Sequence, residues 1–258
     1  MDLLNDIFIG VLFIGGTIAL SLAVYFVARL AVRNRPMDKH PEMASAMVTR
    51  IGALHGLILA LVFAQEMANY QRLEVQMANE ASAVADVFND AGRYDPVALA
   101  SVRSNMVDYL GFVVDAEWAA LGRGENLDAQ AWSAWEAAYS SVLDLTPHTG
   151  REASLRDHML AQLHAIASAR DLRELNGTGS LIGLFWFAAL SGVVLIAVGY
   201  YSYQPQRHNL VLMSLFSAYT GVILFLIYAF SNPYSAPGVL RPDPLIELRG
   251  ELQSGATP

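Results

Sequence analysis

Two ionisable residues stand where the chain is otherwise apolar. His55 lies inside the uncharged run Ile51 to Gln65, and Glu66 follows it by 11 residues, three helical turns, so both fall on one helix face. Such a pair could pass a proton or an ion along a membrane helix. It could equally be a neutral imidazole hydrogen-bonded within a bundle, with a carboxylate reaching headgroup water. A second polar feature is the seam of Ser214, Ser217 and Thr220 beside Gly221, able to line a pore or to hydrogen-bond across helices. Elsewhere the chemistry is sparse. There is no G-x-S-x-G, P-loop, H-E-x-x-H or G-x-G-x-x-G pattern, so no catalytic residue is named and no enzyme is expected. Asp115 and Glu117 diverge by about 200° on a helix and read as a solvated face. His158 and His164 are six residues apart, off a common face, so no metal site is expected, and no cofactor either. The absence of cysteine excludes disulfides, thiolate metal sites and thiol nucleophiles.

The elements that position these residues follow from hydropathy. Of 258 residues, 54% are hydrophobic and 16% charged, and the mean hydropathy is +0.35, which points to a membrane protein. A net charge of −8 argues against nucleic-acid binding, which needs a cationic footprint. Ile7 to Ala28, Gly179 to Tyr203 and Asn209 to Ser231 are uncharged runs long enough to span a bilayer. No basic segment precedes the first run, so it reads as a retained span rather than a signal peptide. Ile51 to Gln65 is short, but extension back over Met43 to Thr49 supplies the length, with Arg50 snorkelling. The expectation is an all-α protein with four transmembrane helices and a helical extramembrane domain inserted between spans two and three. Its parts are spans one and two with a basic loop (1–68), an acidic domain (69–178), spans three and four (179–231) and a Pro-rich tail (232–258).

Residues 69–178 hold 8 arginines and 16 carboxylates, so the whole net charge lies there. Pro41 suits a first helical position, and the helix begun there should run on from span two and end at Gly92. Leu73, Met77, Ala81, Val84 and Phe88 form one helical stripe along it. Asp95-Pro96 predicts the start of a second helix with the stripe Leu99, Val102, Met106, Leu110 and Val113, stopping near Gly122. A third helix carries Trp132, Trp135 and Tyr139, expected with Trp118 in the domain core, and a fourth runs to Asn176-Gly177. Arg29, Arg33, Arg35, Lys39 and Arg50 surround the first loop, which positive-inside places in the cytoplasm of a bacterial inner membrane, leaving the acidic domain in the periplasm. Gly52, Gly56, Ala60 and Ala64 form a small-xxx-small row on span two, with like rows at Gly15, Ala19, Ala23 and at Ala188, Gly192. These rows serve packing within the chain or contact with a neighbouring subunit.

The order of several short motifs is distinctive: Gly52-Ala53-Leu54-His55-Gly56, Glu80-Ala81-Ser82, Arg103 with Tyr109, Ala169-Arg170-Asp171-Leu172-Arg173 before a span pair, and Asn232-Pro233-Tyr234 followed by Gly238 after the last span. Over about residues 45 to 248 this resembles the bacterial bestrophin-like family of unknown function. The resemblance implies kinship with bestrophins, pentameric ion channels with four spans per subunit and a cytosolic helical region, which is the opposite sidedness to that read from the arginines. The expected function is therefore an oligomeric, channel-like membrane protein. The alternative is a non-conducting scaffold or accessory subunit whose acidic domain binds a protein partner. Expected associations are the lipid bilayer, further copies of the chain and such a partner.

Overall fold

The structure is a computed structural model and describes residues 2–32, 41–177 and 183–254. Arg33, Arg35 and Lys39 of the basic loop lie outside the described residues. All regular structure among the described residues is helical: α1 (Asp2–Val32), α2 (Pro41–Tyr94), α3 (Ala100–Phe112), α4 (Trp118–Gly122), α5 (Ala129–Leu143), α6 (Gly150–Gly177), α7 (Gly183–Gly199), α8 (Arg207–Ser231) and α9 (Asp243–Ser254). Four of these helices, α1, α2, α7 extended to Ser202, and α8, are long and apolar enough to cross a membrane.

Helix α2 runs for 54 residues because no proline follows the one at its first position. Its buried positions include Val48, His55, Leu59, Glu66, Leu73, Met77, Val84 and Ala91, at spacings of 7, 4, 7, 7, 4, 7 and 7. That is the 3.5-residue repeat of a helix laid along neighbours. His55 and Glu66 thus occupy core positions of the same stripe as the leucines.

The described residues divide into two compact units. The first comprises residues within 1–68 and 181–231, with 236–238. In it, Leu59, Ala189, Leu224 and Ile227 form a core flanked by Phe13, Phe63 and Trp186. α1 and α8 approach closely at Gly221, where an added Cβ would stand 2.8 Å from the Ile14 Cα. At one end of the unit, Tyr25 and Arg29 both donate to the carbonyl of Tyr203 at 2.8 Å, tying α1 to the link between α7 and α8.

The second unit takes residues within 69–180, 232–235 and 239–258. The two stripes read from the sequence are its core: Leu73, Met77, Ala81, Val84 and Phe88 are buried, as are Leu99, Val102, Met106, Leu110 and Val113. Met159, Leu163 and Ile166 of α6 and Leu245, Leu248 and Leu252 of α9 join the part from Ala81 onward, while Leu73 and Met77 pack in a second cluster with Trp118, Leu121 and Tyr234. The Pro-rich tail therefore supplies a helix to this unit, because the apolar spacing 245, 248, 252 gives α9 an amphipathic face.

Local detail differs from expectation in three places. α2 ends at Tyr94, and α3 begins at Ala100 rather than at Asp95, because the Asp95 carboxylate accepts from Val97 and Ala98 N–H, both at 2.9 Å, and holds the intervening residues in a turn. The helix expected to run on to Gly122 is interrupted by a π-helical turn, Val113–Glu117. Trp132 is 37% exposed instead of lying in the core, stacked on Trp135 at 4.3 Å at the edge of the unit.

Candidate functional site

The second unit buries a cluster of charge. Glu80 on α2, Tyr109 on α3, Glu117 at the end of the π turn, and Arg170 and Arg173 on α6 are all 8% exposed or less. Their positions follow from the same apolar registers. Glu80 stands three residues after Met77; Glu117 stands four after Val113 and four before buried Leu121; Arg170 and Arg173 continue Met159, Leu163, Ile166 at spacings of 4 and 3. Each helix thus presents a polar group where its stripe calls for an apolar one.

The geometry is closed. Arg173 directs Nη1 at Glu80 Oε2, 3.0 Å, and Nη2 at Glu117 Oε1, 3.0 Å, while Nη2 also donates to the Tyr109 hydroxyl at 3.3 Å. Tyr109 donates to Glu80 Oε1 at 2.6 Å. Arg170 Nη2 reaches Glu117 Oε2 at 3.1 Å and the Asp128 carbonyl at 2.7 Å, and the Asp128 N–H returns a bond to Glu117 Oε2 at 3.0 Å. Two guanidinium groups therefore balance two carboxylates, the condition for holding charge in a low-dielectric interior. Glu117, expected on a solvated face, is fully buried, whereas Asp115 faces outward to Arg249 at 2.8 Å. The divergence between them is as the helix geometry requires, but Glu117 is the one that points inward.

The chain segment after α8 closes the cluster. Tyr234 donates its hydroxyl to the Arg173 carbonyl at 3.0 Å and meets Trp118 edge-on at 4.9 Å. Trp118 Nε1 donates to the Leu240 carbonyl at 2.9 Å, and Leu240 N–H to the Pro233 carbonyl at 2.7 Å. Pro233 is buried beside Tyr234. Arg103 lies apart from the cluster, its guanidinium 4.1 Å over the Phe88 ring and against Gly92.

Burial sets the protonation tendencies here. It pushes the Tyr109 phenol well up, reinforced by Glu80, and also raises Tyr234. Burial pushes the Glu117 carboxyl up, with Arg173, Arg170 and the Asp128 amide pulling against it. Burial works against the Arg173 charge, yet Glu80, Tyr109 and Glu117 hold it on, so Arg173 stays cationic. For a phenol whose folded value is raised, the stabilising contribution is complete below the unfolded value and is lost as pH rises toward the folded one. Unfolding stability should therefore fall above pH 10.0, the ordinary phenol value, and phenolate absorbance from these two tyrosines should appear only with unfolding. Their ionisation alongside the exposed tyrosines in the native protein would contradict this.

The residues singled out in the apolar runs lie in the first unit. His55 and Glu66 share the buried face of α2, at 5% and 3% exposure. His55 packs on α7 at Gly192, where a Cβ would overlap the imidazole. On α8, Ser217 and Thr220 are buried and donate to the carbonyls of Met213 and Phe216 at 2.9 and 3.1 Å, with Ser214 half-buried. The row Gly56, Ala60, Ala64 is exposed, with Gly52 partly covered, and no atom stands within 4 Å of a Cβ built at Gly52 or Gly56. Gly15, Ala19 and Ala23 face outward in the same way. Gly238 sits against the Ala229 carbonyl so closely that no side chain would fit. Among the described residues no group of three or more His, Asp or Glu is placed to hold a metal ion.

A sequence profile of the Bestrophin-like domain matches residues 15–245. The chain belongs to the Bestrophin-like family. Among solved structures, this Bestrophin-like chain is similar to variants of a bacterial bestrophin homolog from Klebsiella pneumoniae. One has a TM-score of 0.70 at 11% identity, covering 95% of this chain and 99% of that one. Another has a TM-score of 0.69 at 12% identity, covering 96% and 99%. At that identity the likeness establishes a shared fold. No curated protein matches the chain in sequence. Glu80, Tyr109, Arg170, Arg173 and Tyr234, five of the positions that carried the resemblance, are those the fold brings into one cluster; Glu117 is the member that sequence reasoning set aside.

Proposed function

We propose that the chain is one subunit of an oligomeric, ion-conducting assembly of bestrophin type in a bacterial inner membrane. The observation that carries this reading is the open face of α2. Only 11% of its most apolar stretch is buried within the chain, against 33% for α8, and the small-residue row Gly52, Gly56, Ala60, Ala64 lies on that side. A membrane helix with small residues facing outward suits close approach of a second helix. Family membership and four candidate spans support the same reading. The hydroxyls of Ser217 and Thr220 face inward and bond their own helix, so the conducting path belongs to the α2 side of the subunit rather than to the α8 seam.

Purified protein reconstituted in liposomes should pass ions down an imposed gradient and should weigh several subunits by native mass measurement. Flux absent under varied ions and pH, with an intact oligomer, would sink conduction and favour the scaffold, whose motivation is the net charge of −8 confined to residues 69–178. Sidedness rests on the arginines alone, and bestrophin kinship opposes it. Ser101 is exposed on α3, so a cysteine introduced there in the cysteine-free chain decides: labelling in spheroplasts places the acidic unit outside, labelling only after lysis places it in the cytoplasm.

A further inference from the structure

His55 is 5% exposed, and neither of its ring nitrogens has a hydrogen-bond partner among the described residues. A buried imidazole without partners is costly, and more so at membrane depth. Its place is built by two features of sequence: it fills a core position of α2 between Val48 and Leu59, and α7 offers glycine at the contact, so the ring rests where the Gly192 side chain would be, with Nδ1 foremost. We propose that His55 is a proton-binding site, and that taking up a proton there separates α2 from α7 at Gly192.

The chemistry follows from what surrounds the ring. The neutral imidazole has one donor and one acceptor; the imidazolium has two donors and a charge. α7 carries no titratable residue from Gly183 to Gly199. α1 has no charge between Asp6 and Arg29, and α8 has none between His208 and Ser231, where Tyr219 and Tyr228 are exposed phenols. On α2 itself the nearest charges are Arg50, exposed and of the wrong sign, and Glu66, three turns away. Helix carbonyls around the contact already accept their ladder bonds, and among the described residues none accepts from either ring nitrogen. The neutral ring is therefore tolerated at Gly192 and the charged ring is not, so protonation and separation of the two helices are the same event. The adjacent contact, Val48 on Gly199, is apolar and would part with it.

The inference rests on α2 and α7 being membrane helices, not on conduction. To test it, spin labels are placed at Leu54→Cys on α2 and Leu190→Cys on α7, both exposed, in full-length protein in lipid, diluted with unlabelled chains so that only distances within one chain are read. Between about pH 8 and about pH 5, the range in which imidazole changes charge, the distance should shift to longer values. His55→Leu, which keeps bulk and removes the proton site, should abolish the shift, and Gly192→Ala should show the long distance at both pH values. Independently, the imidazole nitrogen resonance that His55→Leu removes should convert from neutral to protonated over the pH range of the shift in the wild-type protein. No shift in the wild type, an equal shift in His55→Leu, or a His55 that stays neutral throughout overturns the proposal. Flux without a distance shift removes the proton switch and leaves the channel; a shift without flux does the reverse.

Discussion

Arg173→Met should destabilise the second unit by about 3–5 kcal/mol, the cost of breaking a buried ion pair by removing one partner. The guanidinium is 1% exposed on its side chain and, among the described residues, is the one group seen to touch Glu80, Glu117 and Tyr109 together. Without it, Glu80 keeps the Tyr109 hydroxyl and Glu117 keeps Arg170 and the Asp128 amide, but Glu80 is then a buried carboxylate that has lost the guanidinium it paired with. Lysine should not rescue the site, because one ammonium cannot reach three groups that Arg173 serves from two separate nitrogens. The triple change Arg173→Met, Glu80→Gln, Glu117→Gln should recover part of the loss, since it removes the unbalanced charges along with their partner. Chemical unfolding followed by near-ultraviolet circular dichroism checks this. A single substitution that leaves the midpoint unchanged would show that the cluster is not what holds α2, α3 and α6 in register.

Much of this fold is legible because apolar spacing alone specifies it. The stripes from Leu73 to Phe88 and from Leu99 to Val113 need only a 3.6-residue period, and burial follows. The same rule extends to the polar cluster, but there composition and register disagree. Glu117 falls on its stripe as surely as Val113 does, yet a carboxylate in isolation reads as solvated, since lone carboxylates are seldom buried. Only the counter-charges on α6, 53 and 56 residues further along the chain, make that burial affordable. The signal was present on each helix as charge in a core register: Glu80, Glu117, Arg170 and Arg173, and in the first unit His55 and Glu66. What single-helix periodicity cannot supply is which of them meet. Nor does it foresee the π turn, whose extra residue per turn depends on packing across helices, or that Asp95 would hold a turn instead of opening α3.

Gly122→Ala should cost about 1–3 kcal/mol through overpacking, a large effect for one methyl group. A Cβ at this position would stand 2.6 Å from the Tyr234 carbonyl oxygen and 3.2 Å from its carbon. Both are backbone atoms, so no side-chain rotation relieves the contact and the segment after α8 must move. Moving it withdraws the Tyr234 phenol from Trp118 and from the Arg173 carbonyl, and loosens the Leu240 carbonyl that Trp118 Nε1 engages. The consequence can be separated from a generic packing defect by a double-mutant cycle. In the wild type, Tyr234→Phe removes one buried hydrogen bond, a loss of about 0.5–1.5 kcal/mol. In the Gly122→Ala background that bond is already strained or absent, so Tyr234→Phe should cost markedly less, and the two changes should be non-additive. Strict additivity would mean that the methyl group is absorbed by α4 itself, and that the segment carrying Tyr234 keeps its place over the charge cluster.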